Sequence, residues 1–310
     1  MSKQLEVCKM VLSNEEFEFA NANSFDVATD VVLGKMLHKR AYQHYCHLDS
    51  VLKIIMQKRW RLSKCSSSKM NDLQEPRKFA GNTNILDRTY IMCFGYGLAE
   101  SAAMWGLYGK SDPFALRVTI LGDVLEKWMK RIEINPISGR NTTGKDRSQV
   151  IKSIIAKGEN CQSLSREIKG LIFRDVLYAS VAHKEETDEY DKKRGNRVSW
   201  GRTFYNLQEN DCVKDGQFAG FIKDSEWSYE KESRLCIGLK KEIEDEHISI
   251  AVPPEVIADM RFTFSPWLNE SYKKYIEQLI TAALESAGVN LADVKQRFSR
   301  SVLHNALNFK

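Results

Sequence analysis

The chain of 310 residues contains no apolar run near the roughly 20 residues that a membrane-spanning helix needs. Residues 1–9 carry charges and lack an apolar stretch of signal-peptide length. The seven cysteines are odd in number and form no Cys-x-x-Cys pair, so neither a disulfide framework nor a zinc site is indicated. Several, such as Cys93 and Cys236, lie in apolar runs that are typical of buried reduced thiols. We therefore expect a cytoplasmic protein with no membrane segment.

Familiar nucleotide-binding and esterase motifs are also missing. Neither Gly-x-Gly-x-x-Gly nor Gly-x-x-x-x-Gly-Lys-Ser/Thr occurs, so a Rossmann or P-loop site is not supported. The Gly-x-Ser-x-Gly elbow of serine hydrolases is absent as well. The formal net charge of +5 is mild, and both signs are mixed along the chain. Such a balance suits an ordinary solvated surface and does not by itself indicate a nucleic-acid partner.

The apolar pattern favours an α+β fold with a mixed or antiparallel sheet, because short, interrupted strands do not alternate regularly with helices. We expect a helical cap over residues 1–39, with one helix beginning near Asn14 and another near Phe25. The core is expected over residues 40–266, with a helical insertion at about 121–172, and a helical segment over 267–310. Strands are predicted at 41–45, 60–63, 89–95, 114–120, 172–181, 235–239, 248–252 and 260–264. Helices are predicted at 48–56, 100–108 and 271–287, the last with Tyr275, Leu279, Ala282 and Ala283 on its apolar face.

Two glutamates stand just before an apolar strand. In an extended chain Glu230 and Glu232 point to the same side, so both carboxylates would face one cleft. Paired carboxylates suit a reaction in which one steadies developing positive charge and the other handles a proton. The same pattern also occurs on exposed strand edges, and the residues alone leave that alternative open.

Two histidines and two aromatic residues are the other candidates. His44 and His47 flank a helix start, but no third or fourth metal ligand lies nearby in the sequence. His44 can instead donate to a ligand hydroxyl, or be a satisfied core residue. Trp105 and Tyr108 can stack on a flat heterocycle such as nicotinamide, or form part of the core.

Five short motifs follow one another along the chain. They are His44-Tyr45-Cys46-His47, Asn71-Asp72-Leu73-Gln74-Glu75, Cys93-Phe94, Met104-Trp105-Gly106-Leu107-Tyr108, and Trp227-Ser228-Tyr229-Glu230-Lys231-Glu232-Ser233-Arg234-Leu235. With these motifs the chain resembles, in order and spacing from about residue 40 to residue 301, a widespread bacterial family of domains of unknown function. The chain departs from the family pattern at Cys46, where Thr is usual, and at Leu73, where Pro is usual. The first departure removes a hydroxyl group at a predicted ligand contact.

That family in turn resembles the ADP-ribosyltransferase fold, in which NAD is the substrate and no metal is required. The resemblance implies that His44 binds the adenine-side ribose and that Glu232 contacts the nicotinamide-side ribose. Glu230 and Glu232 are also similar to the Glu-x-Glu pair of arginine-modifying toxins, in which case Glu230 orients the acceptor. The resemblance assigns nicotinamide contacts to Phe94, Ser101 and Trp105. Further contacts to NAD are expected from Tyr45, Asn71, Asp72, Tyr108 and Arg234.

The resemblance thus implies NAD-dependent ADP-ribosyl transfer or NAD cleavage, in a toxin or anti-phage defence setting. The acceptor is a protein, a nucleic acid or water. One alternative is a non-catalytic module that senses a nucleotide and signals to a partner protein. Another is a nucleic-acid hydrolase that uses His44 and Glu232 with a divalent metal. The leading hypothesis requires His44, Trp105 and Glu232 to line one pocket.

Overall fold

The computed structural model describes residues 5–12, 15–19, 38–66, 86–109, 112–133, 155–157, 162–164, 166–183, 197–198 and 220–304. The helices are α1 (Leu48–Gln57), α2 (Gly122–Ile132), α3 (Pro254–Asp259) and α4 (Glu270–Ser286). The strands are β1 (Leu5–Leu12), β2 (Glu15–Phe19), β3 (Ala41–His47), β4 (Arg59–Lys64), β5 (Thr89–Tyr96), β6 (Ala115–Leu121), β7 (Ile155–Lys157), β8 (Gln162–Ser163), β9 (Ile168–Asp175), β10 (Leu177–His183), β11 (Arg197–Val198), β12 (Ile222–Asp224), β13 (Glu232–Leu239), β14 (His247–Ala251), β15 (Arg261–Phe264) and β16 (Phe298–Ser299). Shorter helical turns cover Ala102–Met104, Trp105–Gly109, Ser225–Glu230 and Val294–Arg297.

Within the described ranges these strands form two sheets. The larger sheet has 11 strands and runs β16-β15-β6-β3-β5-β4-β14-β7-β8, with β13 and β9 joined to the other edge of β5. Its ladders are antiparallel except for β15 with β16. The smaller sheet runs β11-β10-β1-β2, and β12 pairs with β10 in parallel. The predicted α+β class with a mostly antiparallel sheet is confirmed.

One face of the larger sheet, here called the core face, is covered by α1, α2, α3 and α4. Alternate residues of β3 and β5, such as Tyr42, Met92 and Phe94, pack there with buried residues of all four helices. In α1, which matches the helix predicted at 48–56, the buried residues are Val51, Ile54 and Ile55. Burial of this many aliphatic and aromatic side chains is the main driving force for the fold.

The apolar face of α4 lies one position from where the sequence pattern placed it. Ile276, Ile280, Ala283 and Leu284 are buried. Of the predicted face only Ala283 is among them, and Tyr275 is 59% exposed. Both sets of residues have helical spacing, so the period alone does not select between them. The branched aliphatic side chains occupy the core, and the tyrosine hydroxyl stays in water.

The predicted helical start at Asn14 is wrong, because β1 and β2 form an antiparallel ladder there. The pattern missed this because the second partner of β1 is β10, more than 150 residues further along the chain. Local spacing carries no information on such a long-range ladder. The second predicted helix, beyond Phe25, lies outside the described residues.

The predicted insertion at 121–172 is only partly helical. α2 forms as expected, and its apolar side packs on the core face. β7 and β8 follow as short strands, and β9 begins at Ile168 and pairs with β13 along nearly its whole length. The apolar run at 170–173 inside β9 is too short to show a period, so composition alone does not distinguish it from a buried helix segment.

Of the helices described above, none combines the length and the apolar character that crossing a bilayer requires.

Candidate functional site

The side of the larger sheet opposite the core face carries the candidate site, and we call it the site face. Gln43 of β3 and Glu232 of β13 both pair directly with Gly95 of β5. Directly opposed residues of antiparallel strands project to the same face. Gln43, Glu232 and, two residues on, Arg234 therefore share the site face.

Glu230 and Glu232 meet through a sharp backbone turn and not through an extended chain. Glu230 ends the 3-10 helix Ser225–Glu230, and Glu232 is the first residue of β13. Lys231 between them adopts a left-handed conformation with φ of 47°. This conformation costs a residue with a side chain about 1 kcal/mol. The predicted convergence of the two carboxylates is present, but it depends on this kink.

The two carboxylates form an ion cluster with Lys223 and Arg234, which we call the carboxylate cluster. Lys223 Nζ forms a close ion pair with Glu230 and lies 3.1 Å from Glu232 Oε2. Arg234 Nη2 donates to the same Glu232 oxygen at 2.7 Å, and its Nη1 donates to the Gly220 carbonyl at 2.7 Å. No residue of the cluster is more than 2% exposed. Four charged groups are thus removed from water and satisfy one another.

Burial and charge shift the two carboxyl groups in opposite directions. Burial, together with the charge of Glu232, raises the pKa of Glu230 to about 7. Burial acts on Glu232 as well, but Arg234 and Lys223 outweigh it and lower the pKa of Glu232 to about 2. The cluster therefore contains one carboxylate that stays ionised and one that exchanges a proton near neutral pH. Pairs separated in this way are typical of acid–base assignments in enzymes.

Tyr108 completes the site from a neighbouring helical turn. Its hydroxyl donates to Glu230 Oε1 at 3.4 Å, and burial raises the pKa of Tyr108 well above its usual range. The residue lies in a π-helical turn, Trp105–Gly109, that continues the short helix Ala102–Met104. Ser101 caps this helix, because its hydroxyl accepts from the Met104 backbone N–H at 3.3 Å. Single π-helical turns are rare in proteins overall, and those that do occur are often found at functional sites.

Trp105 supports this turn from below and does not present an open ring. It is fully buried, and its ring meets Tyr45 edge-on at 4.9 Å between centroids. Its indole N–H donates to Glu100 Oε2 at 2.9 Å. The Tyr45 hydroxyl donates to Gln43 Oε1 at 3.0 Å and accepts from the Ser101 backbone N–H at 3.2 Å. In this structure Tyr45, Ser101 and Trp105 hold the turn that carries Tyr108.

His44 and Phe94 lie on the core face, away from the carboxylate cluster. His44 follows Gln43 in β3, so its side chain projects to the opposite side of the sheet. Its ring lies 5.1 Å from Trp60 and 5.9 Å from Phe94, and its Nδ1 is 3.0 Å from the Cys93 carbonyl. Burial lowers the pKa of His44, so the neutral ring donates from Nδ1 to that carbonyl. The expectation that His44, Trp105 and Glu232 line one pocket is therefore not met. Asn71 and Asp72 lie outside the described residues.

Sequence reasoning missed two residues that organise the site. Lys223 bridges both carboxylates, yet in the sequence it is one lysine among 46 Lys and Arg residues. Its position after the apolar pair Phe221-Ile222 is the only local signal that it is buried. Glu100 accepts from Trp105, from the Ser301 hydroxyl at 2.5 Å and from the Val302 backbone N–H at 2.9 Å. No pattern links Glu100 to a residue 200 positions away.

Neither a set of metal ligands in the described residues nor similarity to a known protein points to a function. Among the described residues, no group of three or more His, Cys, Asp or Glu side chains could hold a metal ion. Comparison with models of known families, with curated proteins and with solved structures found no match.

Proposed function

We propose that this chain cleaves the nicotinamide–ribose bond of NAD and passes ADP-ribose to an acceptor or to water. The observation that carries the proposal is the carboxylate cluster, in which Glu232 is held ionised while Glu230 exchanges a proton near neutral pH. The motif resemblance to ADP-ribosyltransferases, whose Glu-x-Glu pair matches Glu230 and Glu232, is consistent with this chemistry. It also suggests a toxin or anti-phage effector.

Glu232 is suited to the bond-breaking step. As the C1′–N bond breaks, its electron pair goes to the pyridinium nitrogen and positive charge develops on the ribose. A carboxylate already ionised and fixed by Arg234 can stabilise that charge without reorganising. One preorganised contact of this kind is typically worth about 3–4 kcal/mol in the transition state.

Glu230 is suited to the transfer step. The acceptor nucleophile attacks C1′ and releases its proton to the Glu230 carboxylate. When the pKa of a base is near the working pH, a large fraction of the base is ionised and it is still strong enough to accept a proton from the acceptor. Tyr108 donates to Glu230, and in this step it would contact the acceptor or the ribose.

Lys223 bridges both carboxylates, so a ribose hydroxyl has to replace one of its two contacts. A lysine is suited to such a movement, because its ammonium group sits on a flexible four-carbon stem. The proposal uses neither the ring of His44, which packs on the core face, nor that of Trp105 as a stacking surface. Trp105 instead positions the turn that bears Tyr108.

The test is the release of free nicotinamide from NAD by the wild-type chain and by Glu232→Gln. We expect release by the wild type and a loss of at least about 100-fold in the variant. Glu270→Gln is the matched control, because its carboxylate is 55% exposed and pairs only with Arg300 among the described residues. If the wild type releases no more nicotinamide than Glu232→Gln, the proposal is wrong.

A second candidate, a nucleotide-sensing module with a partner protein, is favoured by a different feature of the same cluster. Its four charged residues are almost fully buried and already satisfy one another. Such a cluster can stabilise a ligand-binding site without taking part in a reaction. Unchanged NAD together with a melting temperature that NAD raises would favour sensing over catalysis.

A further inference from the structure

Two aromatic residues beside the carboxylate cluster have no role in the chemistry proposed above. Trp227 and Tyr229 lie in the 3-10 helix Ser225–Glu230, which leads directly into Glu230. Their ring centroids are 6.0 Å apart with an angle of 31° between the planes. Both belong to the stretch Trp227-Ser228-Tyr229-Glu230-Lys231-Glu232, which ends in the two glutamates of the cluster.

Lys223 connects the two aromatic residues to the carboxylates. Its Nζ lies 5.1 Å from the centre of the Trp227 ring, within the range of a cation–π contact. The same Nζ is 3.1 Å from Glu232 Oε2 and also pairs with Glu230. The Trp227 ring therefore lies at the edge of the carboxylate cluster, and Tyr229 lies next to it.

Tyr229 is accessible, whereas the aromatic residue that the sequence analysis favoured is not. The Tyr229 side chain is 45% exposed, and Trp105 is fully buried. Since the two rings of the pair are only 6.0 Å apart, a flat ligand does not fit between them. We therefore expect it to stack on the exposed part of the Tyr229 ring, beside Trp227.

We propose that Trp227 and Tyr229 form a stacking platform for the heteroaromatic ring of a nucleotide whose sugar reaches the carboxylate cluster. The ring is the nicotinamide or the adenine of NAD, and the platform deepens the proposed function by locating one end of that substrate. Stacking of a base on an exposed aromatic ring is tolerant of the identity of the base. The exposed ring of Tyr229 beside the carboxylate cluster is suited to such recognition.

The test is calorimetric titration of the full chain with AMP and, separately, with nicotinamide. Neither probe contains the bond that the proposed reaction breaks, and together they distinguish the adenine end from the nicotinamide end. We expect at least one probe to bind, Tyr229→Ala to weaken it at least about five-fold, and Tyr229→Phe to restore it. Trp227→Ala should weaken the same probe. Tyr275→Ala is the control, because this tyrosine is 59% exposed on α4 and lies outside the site.

The possible results distinguish the stacking platform from the proposed reaction. If neither probe binds, or if Tyr229→Ala binds as tightly as the wild type, the platform does not exist. Ring-dependent binding without nicotinamide release from NAD would leave the platform standing and overturn the proposed reaction. Conversely, NAD cleavage with an unchanged KM in Tyr229→Ala would overturn the platform and leave the reaction standing.

Discussion

The opposite charge states of Glu230 and Glu232 make a prediction about stability that is independent of any substrate. Replacing each glutamate by glutamine mimics its protonated form at nearly the same size. The folded protein raises the pKa of Glu230 from 4.5 to about 7, and lowers that of Glu232 from 4.5 to about 2. Two neighbouring isosteric changes should therefore have opposite effects on the free energy of unfolding.

For Glu230 the folded protein keeps a proton that the unfolded chain has already released. Stability therefore falls as the pH rises from about 4.5 through about 7, by a total on the order of 3 kcal/mol. Glu230→Gln removes this loss, so it should be more stable than the wild type at pH 8, by up to about 3 kcal/mol. At pH 4 the two proteins should be nearly equal.

For Glu232 the sign is reversed. Its lowered pKa gives stability that is present above about pH 4.5 and is lost as the pH falls through about 2. Glu232→Gln should therefore be less stable than the wild type at pH 7, by about 3 kcal/mol. It also leaves Lys223 and Arg234 with less opposing charge in a buried site, which acts in the same direction.

The assay is urea unfolding followed by circular dichroism at pH 4 to 8 for the wild type and both variants. Glu270→Gln, at an exposed helix start, should follow the wild type at every pH. Equal losses of stability in Glu230→Gln and Glu232→Gln at pH 8 would refute the opposite charge states and the acid–base roles built on them.

Substitutions at three further positions test how the site is held in place. Lys231→Gly should raise stability by up to about 1 kcal/mol in thermal unfolding because it relieves the left-handed turn, whereas Lys231→Val should lower it. Gly220→Ala should reduce stability and nicotinamide release together, because Gly220 has a φ of +81° and a β-carbon would meet Cys236 Sγ at 3.2 Å. Glu100→Gln should lower kcat but not the affinity for AMP, since Glu100 holds Trp105 and Ser301 and not the ligand; equal losses in both would argue against that positioning role.

The fold class could be predicted from the sequence, because strand length and helical spacing are local. Examples are helix α1 and strand β13, which begins at Glu232. The β1–β2 hairpin could not be predicted as readily, since its ladder with β10 joins distant parts of the chain. The α4 stripe shows that helical period without packing leaves the buried face uncertain by one residue.

The candidate site shows the same division. The Glu230–Glu232 pair was visible because both residues and the strand are adjacent, although the left-handed Lys231 that joins them was not. The face on which His44 lies is set by the pairing of Gln43 with Gly95, a register that β3 alone does not specify. Lys223 lies in a separate strand, β12, and the 3-10 helix Ser225–Glu230 that follows folds it back onto the carboxylates, a turn that the sequence pattern did not show.

The buried charges also bear on why this site exists. Replacing a buried ion cluster by apolar residues of similar size is often neutral or stabilising, so such a cluster is weak evidence of a role in stability. Strongly shifted carboxyl groups are instead concentrated at functional sites. The buried Glu232, held by Arg234 and Lys223, therefore supports the proposed reaction.

The pH profile of nicotinamide release from NAD, measured for the wild type and for Glu230→Gln, tests the central claim most directly. If Glu230 is the base, kcat/KM should rise as the pH increases through about 7 and then level off, because the residue must lose its proton to act. Glu230→Gln should be slow and should lack that rise. The same rise in both proteins, or no release by the wild type at any pH, would contradict the account.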